Sequence, residues 1–259
     1  MKFMEFGDPG TPVVFLLHGG GLSWWSCRDV VHGLQDRYFV VTPVLDGHGE
    51  DGSTEFVSIE DSARKLLHRI DERYGGHIFA ICGLSLGAQI TAEALAQRPD
   101  LANYAVIESA LVSPLGFSRL TESAIRLTYG LTRHRWFAKL QSGSLALPDD
   151  MFEDYFEDSK KITLQSLLNI TRSNAAYTVK PELRNTTAKV LIAAGEKEAA
   201  VMKKSAELLH DAIPGSQLYL APGLRHGELS VAGGHAYAEL LDRFFTGMPF
   251  RVDKKYKNQ

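Results

Sequence analysis

One pentapeptide restricts the fold of this chain more than any other stretch of it. The apolar run Phe79-Ala-Ile-Cys82 leads directly into Gly83-Leu-Ser-Leu-Gly87, a Gly-x-Ser-x-Gly sequence centred on Ser85. That placement predicts a strand that turns sharply at a strained serine and leaves as a helix, so that the Ser85 hydroxyl stands above the sheet edge. Gly83 and Gly87 flank the serine where a side chain would hold strand and helix apart. Alone, the pentapeptide is a weak signal, and its context decides what it means.

Strand and helix patterns alternate around it. Pro12 to Leu17 is an apolar run without alternation, as in a strand buried on both faces. A helix is expected from about Cys27 to Arg37 and a strand at Tyr38 to Val44. Ser58 and Asp61 form a plausible cap for a helix whose Ile59, Ala63, Leu66, Leu67, Ile70 and Tyr74 keep helical spacing. The elbow strand, His77 to Cys82, precedes a helix that stops before Pro99. Further strands are expected at Tyr104 to Ile107, Lys189 to Ala194 and Gln217 to Leu220. Met202, Ala206, Leu209 and Ile213 mark one late helix, and Tyr237, Leu241 and Phe244 the last. Repeated β-then-α order predicts an α/β fold with a mostly parallel central sheet flanked by helices. Only one strand is expected before His18.

Between Ser113 and Leu183 the rhythm breaks, with helical patterns and no convincing strand. Residues 113–182 therefore read as an all-helical cap inserted into a core made of residues 1–112 and 183–259. In the cap, Phe152, Tyr155 and Phe156 share one helix face. The acidic run from Asp149 to Asp158 covers the other and is read as solvated. The tail from Lys254 to Gln259 is expected to fray.

Composition narrows the function classes. At 259 residues the chain is long enough for a substantial core, and 44% apolar with 23% charged residues is ordinary for a soluble globular protein. A net charge of −3 argues against nucleic acid as the main partner. Cys27 and Cys82 are the only cysteines, and Cys82 lies inside a strand, so no disulfide framework is expected. The opening residues reach a turn at Gly7-Asp-Pro-Gly10 without an apolar run long enough for a signal peptide or a membrane span. The expected setting is a reducing cytoplasm, without stable membrane insertion. The His, Glu and Cys spacings match no metal site, and neither a metal nor a cofactor is expected.

The elbow is meaningful only if a base and its orienting acid lie elsewhere in the chain, because a serine hydroxyl is a poor nucleophile at neutral pH. Acyl transfer also needs donors for the developing oxyanion. One donor is the N–H of Leu86, at the start of the elbow helix, where amides are unpaired. Another belongs to His18-Gly-Gly-Gly21, directly after the first long buried strand. Gly195-Glu-Lys-Glu198, after a later strand, supplies two carboxylates. Glu198 is preferred over Glu196 because it lies where the loop begins to turn toward the sheet's carboxyl edge. His226, in a glycine-containing loop after the last strand, is the preferred base. The competitor, His235, opens the final helix, where a capping or solvated role is expected. The order Ser85, acid, His226 is that of a nucleophile-acid-base triad.

Taken together, His18-Gly-Gly-Gly21, Gly47-His-Gly49, Gly83-Leu-Ser-Leu-Gly87, Gly195-Glu-Lys-Glu198 and His226 resemble the α/β-hydrolase superfamily over essentially the whole chain. The likeness is to the carboxylesterase and monoacylglycerol-lipase-like branch with a helical cap. It implies a triad of Ser85, Glu198 and His226, and oxyanion donors at Gly20 and Leu86. It further implies a serine hydrolase cleaving a small to medium, largely apolar ester through an acyl-enzyme. Carbon–carbon, thioester or lactone hydrolysis uses the same machinery, and an intact triad is also compatible with a ligand receptor of slow turnover. Gly21, Trp24 and Trp25 are expected to line the substrate pocket, with Leu115, Phe117, Trp136, Phe137 and Phe152 adding apolar cap surface. His48 is read as structural. The acid is Glu where many members carry Asp, and the sequence offers no reason for Asp46 ahead of Gly47-His-Gly49.

Overall fold

The computed structural model describes residues 1–145 and 147–248; the tail expected to fray lies outside the described residues. Its strands are β1 (Lys2–Phe6), β2 (Val13–Leu17), β3 (Phe39–Val44), β4 (Ile78–Leu84), β5 (Ala102–Glu108), β6 (Lys189–Gly195) and β7 (Gln217–Ala221). They form one sheet in the order β1-β3-β2-β4-β5-β6-β7. Only β1 runs antiparallel to its neighbour; every other pair is parallel. Two strands thus precede His18, not one. The residues of β1 are only partly buried, so the strand carries no strong apolar run. Its existence comes from pairing with the free edge of β3, from Lys2 opposite Val44 to Phe6 opposite Val40.

Strand periodicity divides the core into two faces. Val14 and Leu16 of β2 point to the side covered by α1 (Arg28–Leu34) and α9 (Gly234–Phe245), where Val30, Leu34, Tyr237, Leu241 and Phe244 pack. Phe15 and Leu17 point to the side covered by α2 (Ile59–Tyr74), α3 (Leu86–Gln97) and α8 (Ala200–Ala212), which contribute Ile59, Leu66, Ile70, Ile90 and Leu209. A buried Leu or Ile side chain contributes about 1.5–3 kcal/mol of transfer free energy, so these layers fix the sheet on which the site stands. The Ser58 hydroxyl caps α2 by accepting from Asp61 N at 3.1 Å.

Between β5 and β6 the described residues form helices and no strand: α4 (Arg119–Thr128), α5 (Arg135–Ser144), α6 (Phe152–Ser159) and α7 (Leu164–Ala176). They sit over the carboxyl ends of the strands through a third apolar cluster, in which Leu22, Trp25 and Leu84 meet Ala138, Met151, Phe152, Tyr155 and Phe156. Polar ties reinforce the contact: Phe56 N donates to Ser166 Oγ at 3.1 Å and Ile59 N to Ser173 Oγ at 3.0 Å. The acidic run is not solvated throughout. Asp158 is buried, accepting from Trp25 Nε1 at 2.7 Å and pairing with Lys161 at 2.7 Å. Among the described residues no helix is long and apolar enough to cross a membrane.

Candidate active site

Ser85 stands at the carboxyl end of β4, a central strand held between β2 and β5. Its backbone lies at φ 52° and ψ −110°, a region that costs on the order of 1–3 kcal/mol for a residue with a side chain. The turn is that tight because strand and helix nearly touch. A Cβ on Gly83 would sit 2.3 Å from Gly87 O, and one on Gly87 would sit 2.4 Å from Leu17 O. The Ser85 N–H is secured by Glu108 O at 2.8 Å.

Two loops from distant parts of the sequence complete the arrangement. His226, between β7 and α9, places Nε2 3.1 Å from Ser85 Oγ and Nδ1 2.9 Å from Glu198 Oε2. A carboxylate only accepts, so Nδ1 carries the proton and Nε2 is left to accept from the serine hydroxyl. Glu198, just past β6, is buried. Its second oxygen accepts from Ser109 Oγ at 2.6 Å and from Gly195 N at 2.7 Å. Burial alone would raise the Glu198 pKa, but the bonds from His226, Ser109 and Gly195 outweigh it and hold the carboxyl below its usual range. Burial alone would lower His226, and here too the partner wins: the hydrogen bond and charge of Glu198 lift the imidazole above its ordinary value.

Glu196 does something else, its carboxylate accepting from Gly223 N at 2.7 Å and tying the β6 and β7 loops together. His235 lies in the first turn of α9, and the bond to Ser85 is made by His226.

The glycine-rich loop lies beside the elbow. A Cβ built on Gly20 would fall 3.7 Å from Leu86 Cβ, so these two backbones are neighbours. The Leu86 amide, first of α3, has no intrahelical partner. His18 braces the loop, Nδ1 donating to Gly19 O at 2.8 Å while Nε2 accepts from Leu45 N at 3.1 Å. Burial presses its pKa down to about 3, which keeps the ring neutral. His48 is buried, meets the His18 ring edge to face and bonds Asp46 O at 2.9 Å through Nδ1. Asp46 also finds a reason: its buried carboxylate takes Lys65 Nζ at 2.5 Å, joining the loop to α2.

A cavity of about 440 Å³ opens at Ser85, Gly20 and Gly21. Its walls are mainly apolar, with Leu111, Leu115, Leu145, Ile162, Leu167 and Ile170, and its polar groups are uncharged: Gln141, Ser144, Tyr155, Thr171 and Asn174. The two tryptophans are not among its lining residues. Trp25 is drawn under the helical segment by Asp158, and Trp24 leans on Phe6 and donates to Glu50. Of the expected cap residues only Leu115 lines the cavity. Phe152 packs within the third cluster, and Trp136 is 62% exposed. Ser109 went unnoticed in the sequence because serine after a strand is commonplace. Glu108 carried a signal, an acid ending an otherwise apolar strand.

A family model for the alpha/beta hydrolase family matches residues 13–243. The chain belongs to that family. It is 23% identical over 236 residues to the uncharacterized hydrolase YugF of Bacillus subtilis (strain 168), with 84% of each chain covered. The fold is also similar to that of a thermophilic esterase from Thermogutta terrifontis, with 17% identity, TM-score 0.74 and 95% and 93% of the two chains covered. The enol-lactonase from Burkholderia xenovorans LB400 superposes with TM-score 0.77 at 17% identity, covering 95% and 96%. At such identities these solved structures speak to the fold. In a member of this family, a hydroxyl bonded to an imidazole that is itself held by a buried carboxylate can surrender its proton as it attacks.

Proposed function

We propose that this chain is a serine hydrolase that cleaves the carboxylic ester of a small to medium, largely apolar substrate through an acyl-enzyme. The observation carrying this reading is the unbroken chain from Ser85 Oγ through His226 to Glu198, at 3.1 and 2.9 Å, opening onto a cavity without charged lining residues. Ser85 attacks the carbonyl while His226 takes its proton. The amides of Gly20 and Leu86 receive the oxyanion, each worth roughly 3 kcal/mol in the transition state. His226 then protonates the departing alcohol, and a water activated by the same ring releases the acid. The acyl or alcohol portion rests against Leu111, Leu115 and Ile170. Helices α4 to α7 act as the lid over that space.

The test is fluorophosphonate labelling together with turnover of p-nitrophenyl esters of graded chain length, for wild type and Ser85→Ala. Labelling and turnover lost only in the variant would support the reading. Turnover undiminished in Ser85→Ala would reject it, and labelling without turnover of any ester would move the reading to another acyl chemistry.

A further inference from the structure

Beneath the elbow lies a buried acid that the proposed reaction does not use. Glu108 ends β5 and is 1% exposed. Val106, two residues earlier, packs on the α1 and α9 side of the sheet, and Glu108 faces the same way. There it lines a small chamber of about 20 Å³ with Ser26, Cys27, Cys82, Ser230 and Tyr237. Neither carboxyl oxygen makes a hydrogen bond of good geometry among the described residues, although the Ser230 and Tyr237 hydroxyls interact with the carboxyl. A buried carboxyl without firm partners is costly to ionise and calls for an explanation.

Its backbone and its neighbour are both tied to the site. Glu108 O accepts from Ser85 N, and Ser109 bonds Glu198. We propose that Glu108 is a positioning residue for the proposed hydrolysis: a third carboxyl, acting through the protein on the charge of His226, without touching substrate. This rests on the serine hydrolase reading above.

The surroundings make the assignment specific. Burial holds every other titratable group of the chamber neutral. His18 is pressed down to about 3 and the Cys27 thiol pushed up to about 12, while the Cys82 thiol and the Tyr237 hydroxyl are also raised. Outside the chamber, the charged groups whose fields reach Glu108 are His226 and Glu198. Burial lifts the Glu108 carboxyl to about 7, opposed by the Ser230 hydroxyl and by His226 and aided by the charge of Glu198. Glu108 thus gives its proton to solvent close to neutrality, and its charge then favours the imidazolium form of His226. A carboxyl held neutral throughout this range could not favour the imidazolium in this way.

The pH dependence of kcat/KM for p-nitrophenyl butyrate, from about pH 5 to 9, tests this in wild type, Glu108→Gln and Glu108→Met. Removing the negative charge lowers the pKa of His226, so the acid limb moves to lower pH. Around pH 7, where Glu108 is half ionised, each variant should keep up to about twofold more of its own plateau rate than wild type does. Unmoved limbs in variants that still react with a fluorophosphonate would overturn the proposal and leave the hydrolase reading intact. A wild type inert to the fluorophosphonate would remove that reading, and this proposal with it. Should neither variant fold, the His226 ring resonances of the wild type decide. A second inflection near neutral pH supports the proposal, and a simple one-proton curve overturns it.

Discussion

Ser109 donates its hydroxyl to Glu198 at 2.6 Å, on the oxygen that His226 does not use. The serine that does so is itself held at φ 55°, in the left-handed region, at the end of β5. That backbone turn aims the hydroxyl across the sheet edge at a carboxylate 89 residues away in sequence. With Gly195 N as the second donor, Glu198 Oε1 is saturated, so the carboxylate cannot rotate away from the imidazole. A hydrogen bond to a charged group contributes about 1.5–3 kcal/mol. Ser109→Ala should therefore lower kcat about tenfold to a hundredfold while KM changes little. Steady-state kinetics check this, and a kcat within a factor of about two of wild type would mean that Gly195 N alone suffices.

Strain at the elbow gives a prediction that separates stability from activity. Ser85 occupies backbone angles that glycine tolerates far better. Ser85→Gly should raise stability by about 1–3 kcal/mol in urea unfolding, even though it removes the hydroxyl and all turnover. A variant less stable than wild type would show that packing around the side chain, and not the backbone, dominates at this turn.

Much of this arrangement could be read from the sequence, and the reasons differ by element. The buried strands β2, β4 and β6 announce themselves because a parallel strand covered on both faces is an unbroken apolar run. Ser85 was legible because its glycines are sterically obligatory, and His226 because it follows the last strand. β1 was not legible, since a half-buried edge strand has too little apolar pattern to stand out. Trp24 and Trp25 were misplaced for a related reason. An aromatic beside a glycine loop can face the pocket or the interior, and the deciding contact, Asp158, is 133 residues from Trp25.

The two glutamates of the β6 loop, only two residues apart, should respond very differently. Glu198→Gln keeps the volume but removes the charge that orients Nδ1–H, so kcat should fall by as much as about 10⁴. Glu196→Gln keeps an oxygen that can accept from Gly223 N, losing only the charge on that acceptor, and should change kcat less than about tenfold. Parallel kinetics on the two purified variants check the pair. The reverse ranking would mean that the loop rearranges before substrate is attacked.

The pH dependence follows from the same bonds, with the sign fixed by which form of each group works. His226 accepts a proton from Ser85 only when neutral, and its pKa is raised above 6.5 by Glu198 despite burial. The acid limb of kcat/KM should therefore lie above the free-histidine value of about 6.5. Stability runs the other way for this residue. A histidine whose folded pKa is raised stabilises fully below its unfolded pKa, and that contribution is lost as pH climbs through the folded value. For Glu198, whose folded pKa is depressed, the contribution is present above the ordinary carboxyl range and is lost as pH falls through the folded value. Wild type and His226→Gln should accordingly differ most in stability at mildly acidic pH, where activity is already failing, and converge as pH rises. Urea unfolding at a series of pH values checks this. A gap that widened with rising pH would contradict the raised pKa, and with it the charge pairing between His226 and Glu198.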